Sequence, residues 1–366
     1  MAPTVSFVVP CYNLAHFLPE CLNSILGQTY GDLEILIMDD CSPDNTEEIA
    51  RSFHDPRVRY IRNQNNLGHL QNYNKGIALS QGKYIWLISA DDRLCKPYLL
   101  QRYIRVMENN PRVGYACCPA IKLERGIETG VEGRLESKDT TFDGTTLLAK
   151  LLKGNRIPAA SGMVRRTCYD RCGQFPLDLP YAGDWYLWCL FALHYDVAYF
   201  AEPMVNYRAH ELSMTNYLLN HRLTPALEEG HTVLWRIRDQ ARQIGHAGVV
   251  KQCTARLARL YGAHIIGGVF ENQLYRMSEE ELESSLNRAS VTLPEANWIR
   301  ARIWMAAGDC SFKLNDVTNA GRYYRRALQY HPGLISVRLR QLLLRTGYVG
   351  IGFAKTLLKI RRAAFN

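Results

Sequence analysis

Three runs, Val5 to Pro10, Glu34 to Met38 and Tyr84 to Ser89, each end abruptly in a polar turn, and helical periodicity fills the gaps between them. Phe17, Leu18, Cys21, Leu22, Ile25 and Leu26 fall at helical spacing within Ala15 to Gln28. Asp44 to Phe53 reads as the next helix, with Ser42-Pro43-Asp44 supplying its capping residues. A short strand, Val58 to Ile61, then leads through Asn63-Gln64-Asn65-Asn66-Leu67-Gly68 into a helix that Gly82 separates from the third run. Apolar strands alternating with helices bury both faces of the sheet they form. The expected class is therefore α/β, a mostly parallel sheet with helices on both faces.

In such sheets ligands bind beyond the carboxyl ends of the strands. Those ends carry Cys11-Tyr12-Asn13, Asp39-Asp40 and Ala90-Asp91-Asp92. Two acidic pairs facing one crevice repel each other unless a cation, a base edge or a ribose satisfies them. Further on, the pattern predicts a helix over Pro97 to Asn109, a strand over Val113 to Ala120 and a polar excursion from Arg125 to Gly144. Residues 156–215 form a second segment with candidate chemistry, and from Tyr217 the reading is nearly all helical. The stretch Ala301 to Pro332 has the spacing of one helical hairpin, with no clear second copy. The expected organisation is a catalytic domain over 1–215 and a basic helical region over 216–366.

Composition, 47% hydrophobic and 22% charged over 366 residues, is that of a folded globular chain. No apolar stretch reaches the ~18–20 residues that span a bilayer, and the N-terminal run lacks a basic leader. A cytoplasmic protein, or one peripheral on the inner face of the cell membrane, is expected. The 11 cysteines are odd in number and scattered, and most lie in apolar runs, which fits thiols in a reducing compartment. Cys168 and Cys172 lack the second ligand pair a structural zinc needs. Charge is uneven: residues 1–215 hold 22 basic and 24 acidic side chains, residues 216–366 hold 22 and 11. After Asp316 there are ten basic residues and no acidic one. Such a region favours a polyanionic neighbour, and an anionic membrane face suits it better than nucleic acid, for which it lacks a recognition motif or regular aromatic interleaving. Leu334 to Leu344 and Phe353 to Ile360, interleaved with Arg338, Arg340, Arg345, Lys355 and Lys359, fit helices lying on such a surface and equally fit helices packed on the rest of the chain.

Each acidic pair also has a bland reading. A carboxylate past a strand end, such as Asp40, can accept from the imide N–H of uracil or thymine, with Tyr12 stacking on the base; Asp39 and Asp40 can equally cap the following helix. Asp91 and Asp92 offer hard oxygen ligands for Mg²⁺ or Mn²⁺, or a helix cap before Lys96-Pro97.

Four clusters stand in order: SFVVPCYN at 6–13, IMDDCSPDNT at 37–46, LISADD at 87–92 and YAGDWYLW at 181–188. Together they resemble family 2 of the inverting glycosyltransferases with the GT-A fold, over residues 3–215. The resemblance implies that Pro10, Tyr12 and Asp40 lie at the nucleotide, with Asn66 a further contact. It implies that Asp92 ligates Mn²⁺ or Mg²⁺ while Asp91 meets the ribose or supports the metal's ligand from behind. It also implies that Asp184 is the base that takes the acceptor hydroxyl's proton. In VNYRAHELSMTN at 205–216, His210 would reach the metal or diphosphate and Arg208 the leaving group. Two departures stand out: Ser89 occupies the place of the first acid of a D-x-D, and Gly183 that of the Glu in a Glu-Asp pair. As an ordinary residue, Asp184 would be the N-cap of the aromatic helix that follows it. The implied activity is transfer of a sugar from a nucleotide-sugar donor, a UDP-sugar foremost, to a hydroxyl of a glycan, glycolipid or glycoprotein acceptor in bacterial surface polysaccharide synthesis. The alternative is an inactive nucleotide-binding scaffold of the same fold.

Overall fold

The computed structural model describes residues 2–210, 213, 223–270, 273–288 and 291–345. Residues 346–366, with the predicted amphipathic stretch Phe353 to Ile360, and the expected boundary at 215 and 216 lie outside them. The chain divides into two compact units, Met1–Val233 and Leu234–Asn366.

In the first unit the described strands form an eight-stranded sheet of order β3-β2-β1-β4-β10-β6-β11-β9. Its parallel half comprises β1 (Val5–Cys11), β2 (Leu33–Asp39), β3 (Val58–Arg62) and β4 (Tyr84–Leu87), joined through α1 (Leu18–Leu26), α2 (Thr46–Ser52) and α3 (His69–Leu79). β1 and β2 are buried at every position, as their mostly apolar composition requires between two helical layers, and the buried Ser6 donates to Glu34 at 2.6 Å. The edge strand β3 is only partly covered. β10 (Met163–Arg165) runs antiparallel between β4 and β6 (Val113–Cys117), and β11 (Asp196–Tyr199) continues parallel to β6. An aromatic column, Phe7, Trp86, Tyr103 and Phe200, stacks at centroid spacings of 5.4, 5.1 and 4.8 Å and fixes β1 and β4 against α4 (Leu99–Asn109).

The strand expected over Val113 to Ala120 is two strands. β6 ends at Cys117, and β7 (Ala120–Glu124) starts after Pro119, which has no N–H for a ladder. The polar excursion after it contains β8 (Ile127–Glu132), exposed along its whole length, and β9 (Thr140–Phe142), which pairs with β11. Neither buries enough apolar surface to be visible as a periodic run. β7 and β8 belong to a second sheet of order β5-β12-β7-β8, where β5 is Arg93–Leu94 and β12 is Val205–Ala209. The pairs Val205↔Leu94 and Asn206↔Arg93 bring the late segment 205–210 beside residues 91–92. α5 (Gly144–Leu151), α6 (Arg166–Cys172), α7 (Gly183–His194) and the start of α8 (Leu223–Gln243) complete the unit.

The second unit contains α9 (Ala247–Ile265), a hairpin of β13 (Gly268–Phe270) and β14 (Gln273–Tyr275), α10 (Glu279–Arg288), α11 (Leu293–Lys313), α12 (Val317–Tyr330) and α13 (Ile335–Arg345). α11 and α12 form the hairpin expected over Ala301 to Pro332: Asp316 caps α12 by accepting from Asn319 N, and Tyr324 OH donates to Asp309 at 2.8 Å. The β13–β14 hairpin was not expected in a region read as nearly all helical. No helix among the described residues is long and apolar enough to cross a membrane.

Candidate functional site

The carboxyl ends of β1, β2 and β4 carry the acidic and aromatic groups picked out in the sequence. Pro10 is buried beyond the last β1–β4 pair, Val8↔Leu87, so its missing N–H costs that ladder little. Its carbonyl accepts from Ala90 N at 3.1 Å and thereby holds the turn that presents Asp91 and Asp92. Tyr12 follows at the rim, 49% exposed.

Asp39 is fully buried and accepts from Ser42 N (2.8 Å), Tyr60 OH (2.5 Å) and the Arg62 guanidinium (2.8 Å). Burial, with Asp39 next, pushes the Tyr60 phenol up to about 12. Asp40, 3% exposed, accepts from Asn63 Nδ2 (2.8 Å), Leu67 N (2.8 Å) and Gly68 N (2.9 Å). Neither pair member caps α2: Asn45 stands at its N-cap, and Asp44 just before it accepts from Thr46 N at 3.1 Å. Asp40 instead ties down the turn before α3, where Asn66 Oδ1 also accepts from Gly68 N. Three of roughly four carboxylate lone-pair sites are thereby filled, leaving about one for a ligand.

The second acidic pair meets β12. Asp92, 7% exposed, accepts from Arg208 N at 2.9 Å, and burial, with the charge of Asp91 next, holds its carboxyl well above the usual range. Asp91 Oδ2 lies 2.9 Å from His210 Nε2, while Asp91 Oδ1 is buried without a hydrogen-bond partner. Arg208 donates to the Asp91 carbonyl (3.0 Å) and to Glu20 (2.6 Å), with its guanidinium 4.3 Å above the Phe17 ring. Glu20 also pairs with Arg93, whose Nε donates to Asn206 at 2.8 Å. No cluster of three or more His, Cys, Asp or Glu side chains with metal-binding geometry occurs among the described residues. Two carboxylates with an orphaned buried oxygen still fit a Mg²⁺-like cation, which takes one or two protein carboxylates and completes its shell from water and substrate phosphates.

Asp184 stands in the first turn of α7, one position inside the helix, and Ala182 occupies the N-cap. Asp184 is thus not the cap. Its Oδ2 accepts from Asn155 Nδ2 (2.8 Å) and its Oδ1 from Trp185 N (2.6 Å). Burial raises its carboxyl to about 6 against the pull of those two bonds. A cavity of about 140 Å³ is lined by both Asp92 and Asp184, together with Ser89, Tyr73, His69 and Trp188. Burial raises the Tyr73 phenol, and the charges of Asp91, Asp184 and Asp92 add to it. Trp188 packs edge-on to Gly162, where a Cβ would come within 2.3 Å of Cη2, and stacks on Tyr115 at 5.2 Å.

The structure therefore groups Asp91, Asp92, Arg208 and His210 in one cluster and sets Asp92 and Asp184 on one cavity. Tyr12 and Asp40, at the ends of β1 and β2, and Asn66, in the turn between β3 and α3, do not line that cavity. Reading by strand ends missed Glu20, Asn63, Tyr73 and Asn155, which lie on helices or loops without a motif. Only the excess of Asn in the turn at 63–66 offered a signal.

Residues 6–166 match the family model described as "Glycosyl transferase family 2". A Haemophilus influenzae protein described as an uncharacterised glycosyltransferase is 29% identical over 228 residues, 60% of this chain and 69% of that one. Glycosyltransferase GlyG of Streptococcus pneumoniae is 38% identical over 115 residues, 31% of this chain and 38% of its own length. Among solved structures, S. aureus TarS 1–349, crystallised with UDP-GlcNAc, superposes with a TM-score of 0.60 at 15% identity, over 95% of this chain and 92% of that one.

Proposed function

We propose that this chain, whose residues 6–166 match glycosyltransferase family 2 on a GT-A fold with a helical region following, carries out an inverting transfer of sugar from a UDP-sugar to an acceptor hydroxyl. The observation that carries this reading is the pairing of Asp184, raised to about 6, with Asp92 on one cavity. A carboxylate of that basicity is ionised at neutral pH and a better proton acceptor than a surface Asp. Asp184 takes the acceptor O–H proton as the oxygen bonds to the anomeric carbon. The bond from that carbon to the diphosphate oxygen breaks, and the nucleoside diphosphate leaves from the opposite face. In-line displacement inverts the anomeric centre.

On the donor side, Tyr12 stacks on the base, and Asp40, with its remaining lone pair, and Asn66 contact the nucleoside beside Pro10. Asp92 and Asp91, with His210 behind Asp91, would hold Mn²⁺ or Mg²⁺, which when bound supplies charge neutralisation to the diphosphate. Arg208 reaches the leaving group by exchanging Glu20 for a phosphate oxygen, a partner of higher charge.

For the acceptor, we favour a glycan or lipid-linked acceptor in surface polysaccharide synthesis, met on the inner face of the cell membrane. Supporting this, α13 exposes Ile335 (72%), Leu339 (55%) and Leu342 (58%) beside Arg338, a stripe suited to an anionic bilayer. The rival, a nucleotide-binding scaffold without turnover, draws on Ser89, which lines the cavity where an acid would be expected.

Titration calorimetry with UDP, with and without Mn²⁺, on the native chain, Asp40→Ala and Asp92→Ala tests the donor half. A UDP-sugar turnover screen with Asp184→Asn as control tests the base. Metal-dependent binding lost in both variants and turnover lost in Asp184→Asn are expected. Binding without turnover of any donor favours the scaffold; no binding of UDP, dTDP or GDP defeats both readings.

A further inference from the structure

The first turn of α7 carries Asp184 but lacks a cap of its own. Ala182 at the N-cap has no side chain that can accept, and Gly183 has none at all. There is little room for one at 183, where a Cβ would lie 3.3 Å from Phe175 Cδ1 and 3.6 Å from Leu70 Cδ2. The missing acceptor comes from another helix. Glu229 on α8, 7% exposed, receives Tyr181 N at 2.7 Å and Ala182 N at 2.8 Å on its Oε2. At the next residue, Gly230, an added Cβ would lie 3.7 Å from Trp185 Cζ3, so α8 passes α7 on both sides of Asp184. Trp185 Nε1 is anchored on the Leu151 carbonyl at 2.8 Å. Backbone 181–185 is thus clamped before and after Asp184, and Asn155 fixes the carboxylate from the side.

We propose that Glu229 is a positioning residue for Asp184: its buried carboxylate caps α7 from α8 and holds the Asp184 carboxylate toward the cavity it shares with Asp92. A buried carboxylate needs partners, and two backbone N–H groups at the positive end of a helix supply them with charge assistance. The same bonds make residues 181–185 rigid. This assignment rests on the reading of Asp184 as the base, and it extends the functional catalytic unit past residue 215 to include the start of α8.

The test uses the full chain and two readouts. The first needs no substrate: the rise in Tm caused by Asp184→Asn at pH 7.5 relative to pH 4.5, in native and Glu229→Leu backgrounds. With Asp184 held on the cavity that differential rise is roughly 2–4 °C; released to solvent by Glu229→Leu, it falls by at least half. Glu229→Gln, whose amide oxygen still accepts from both N–H groups, keeps it, and Glu229→Asp, one methylene too short to reach both, lowers it in part and stands in should the leucine variant not fold. An equal rise in all backgrounds overturns the proposal. The second readout is UDP release from the donor that the turnover screen identifies. Glu229→Leu lowers kcat at least tenfold with the UDP Kd within twofold, and Glu229→Gln restores it. A purely architectural Glu229 would instead leave kcat of the folded fraction unchanged, which also overturns the proposal. Undiminished turnover in Asp184→Asn alongside a Glu229-dependent Tm effect would reject the base and keep the positioning contact.

Discussion

Asp184→Asn should abolish turnover and at the same time stabilise the protein at neutral pH. The folded chain raises this carboxyl from 3.8 to about 6 through burial. A group whose folded value lies above its unfolded one contributes stability that is complete below 3.8 and lost as pH rises through about 6. The gap corresponds to about 3 kcal/mol at about 1.4 kcal/mol per decade. Asp184 is only half-buried, so solvent screening reduces this to about 1–2 kcal/mol. An asparagine keeps the shape and the acceptor oxygen for Asn155 without the charge. At pH 7.5 its Tm should exceed that of the native chain by roughly 3–6 °C for a unit of this size. At pH 4.5 the acid is mostly protonated when folded, and about a third of the gain should remain. The assay is thermal unfolding of both proteins at the two pH values, followed by a fluorescence or circular dichroism signal, with UDP binding checked in parallel. A variant no more stable at pH 7.5 than at pH 4.5, relative to the native chain, would refute the argument that burial strains this charge.

The same raised value sets the acid limb of kcat/KM near pH 6, where activity falls tenfold per unit below it; Asn155→Ala, removing a bond to the ionised form, should move that limb up by about half to one pH unit. Asp40→Ala strips three donors, Asn63 Nδ2, Leu67 N and Gly68 N, of their acceptor and should cost about 2–4 kcal/mol in urea unfolding, with weaker UDP binding from the loosened Asn66 turn. Gly162→Ala puts a Cβ 2.3 Å from Trp188, whose ring cannot retreat from Tyr115; an overpacking cost of about 1–3 kcal/mol is expected, with a fall in kcat as the cavity wall shifts. A Tm unchanged within one degree would show that the indole has room.

Much of this protein can be read before any coordinates. The runs at 5–10, 34–38 and 84–89 are mostly apolar because β1, β2 and β4 are covered on both faces, and this property marks the strands of the parallel half of the sheet. Because a strand end is where a sheet exposes side chains to a ligand, Tyr12, Asp40, Asp91 and Asp92 are legible as candidates from position alone. What the sequence cannot express is the company each residue keeps. As an ordinary residue Asp40 reads as a cap for α2, yet it holds the turn before α3, since Asn63, Leu67 and Gly68 fold back onto it. Asp184 reads as an N-cap, yet it lies inside the helix while a glutamate from α8 does the capping. β8 and β9 escaped notice because polar edge strands are held by ladder bonds, which leave no mark in hydrophobic periodicity. The pairing of β12 with β5 joins Arg208 and His210 to Asp91 and Asp92 across more than a hundred residues of chain. Local patterning is a property of neighbours in sequence and survives in any one segment. The acid–His cluster, the cavity and the clamp on Asp184 depend on long-range packing that raises or satisfies buried charges, and only the folded chain decides them.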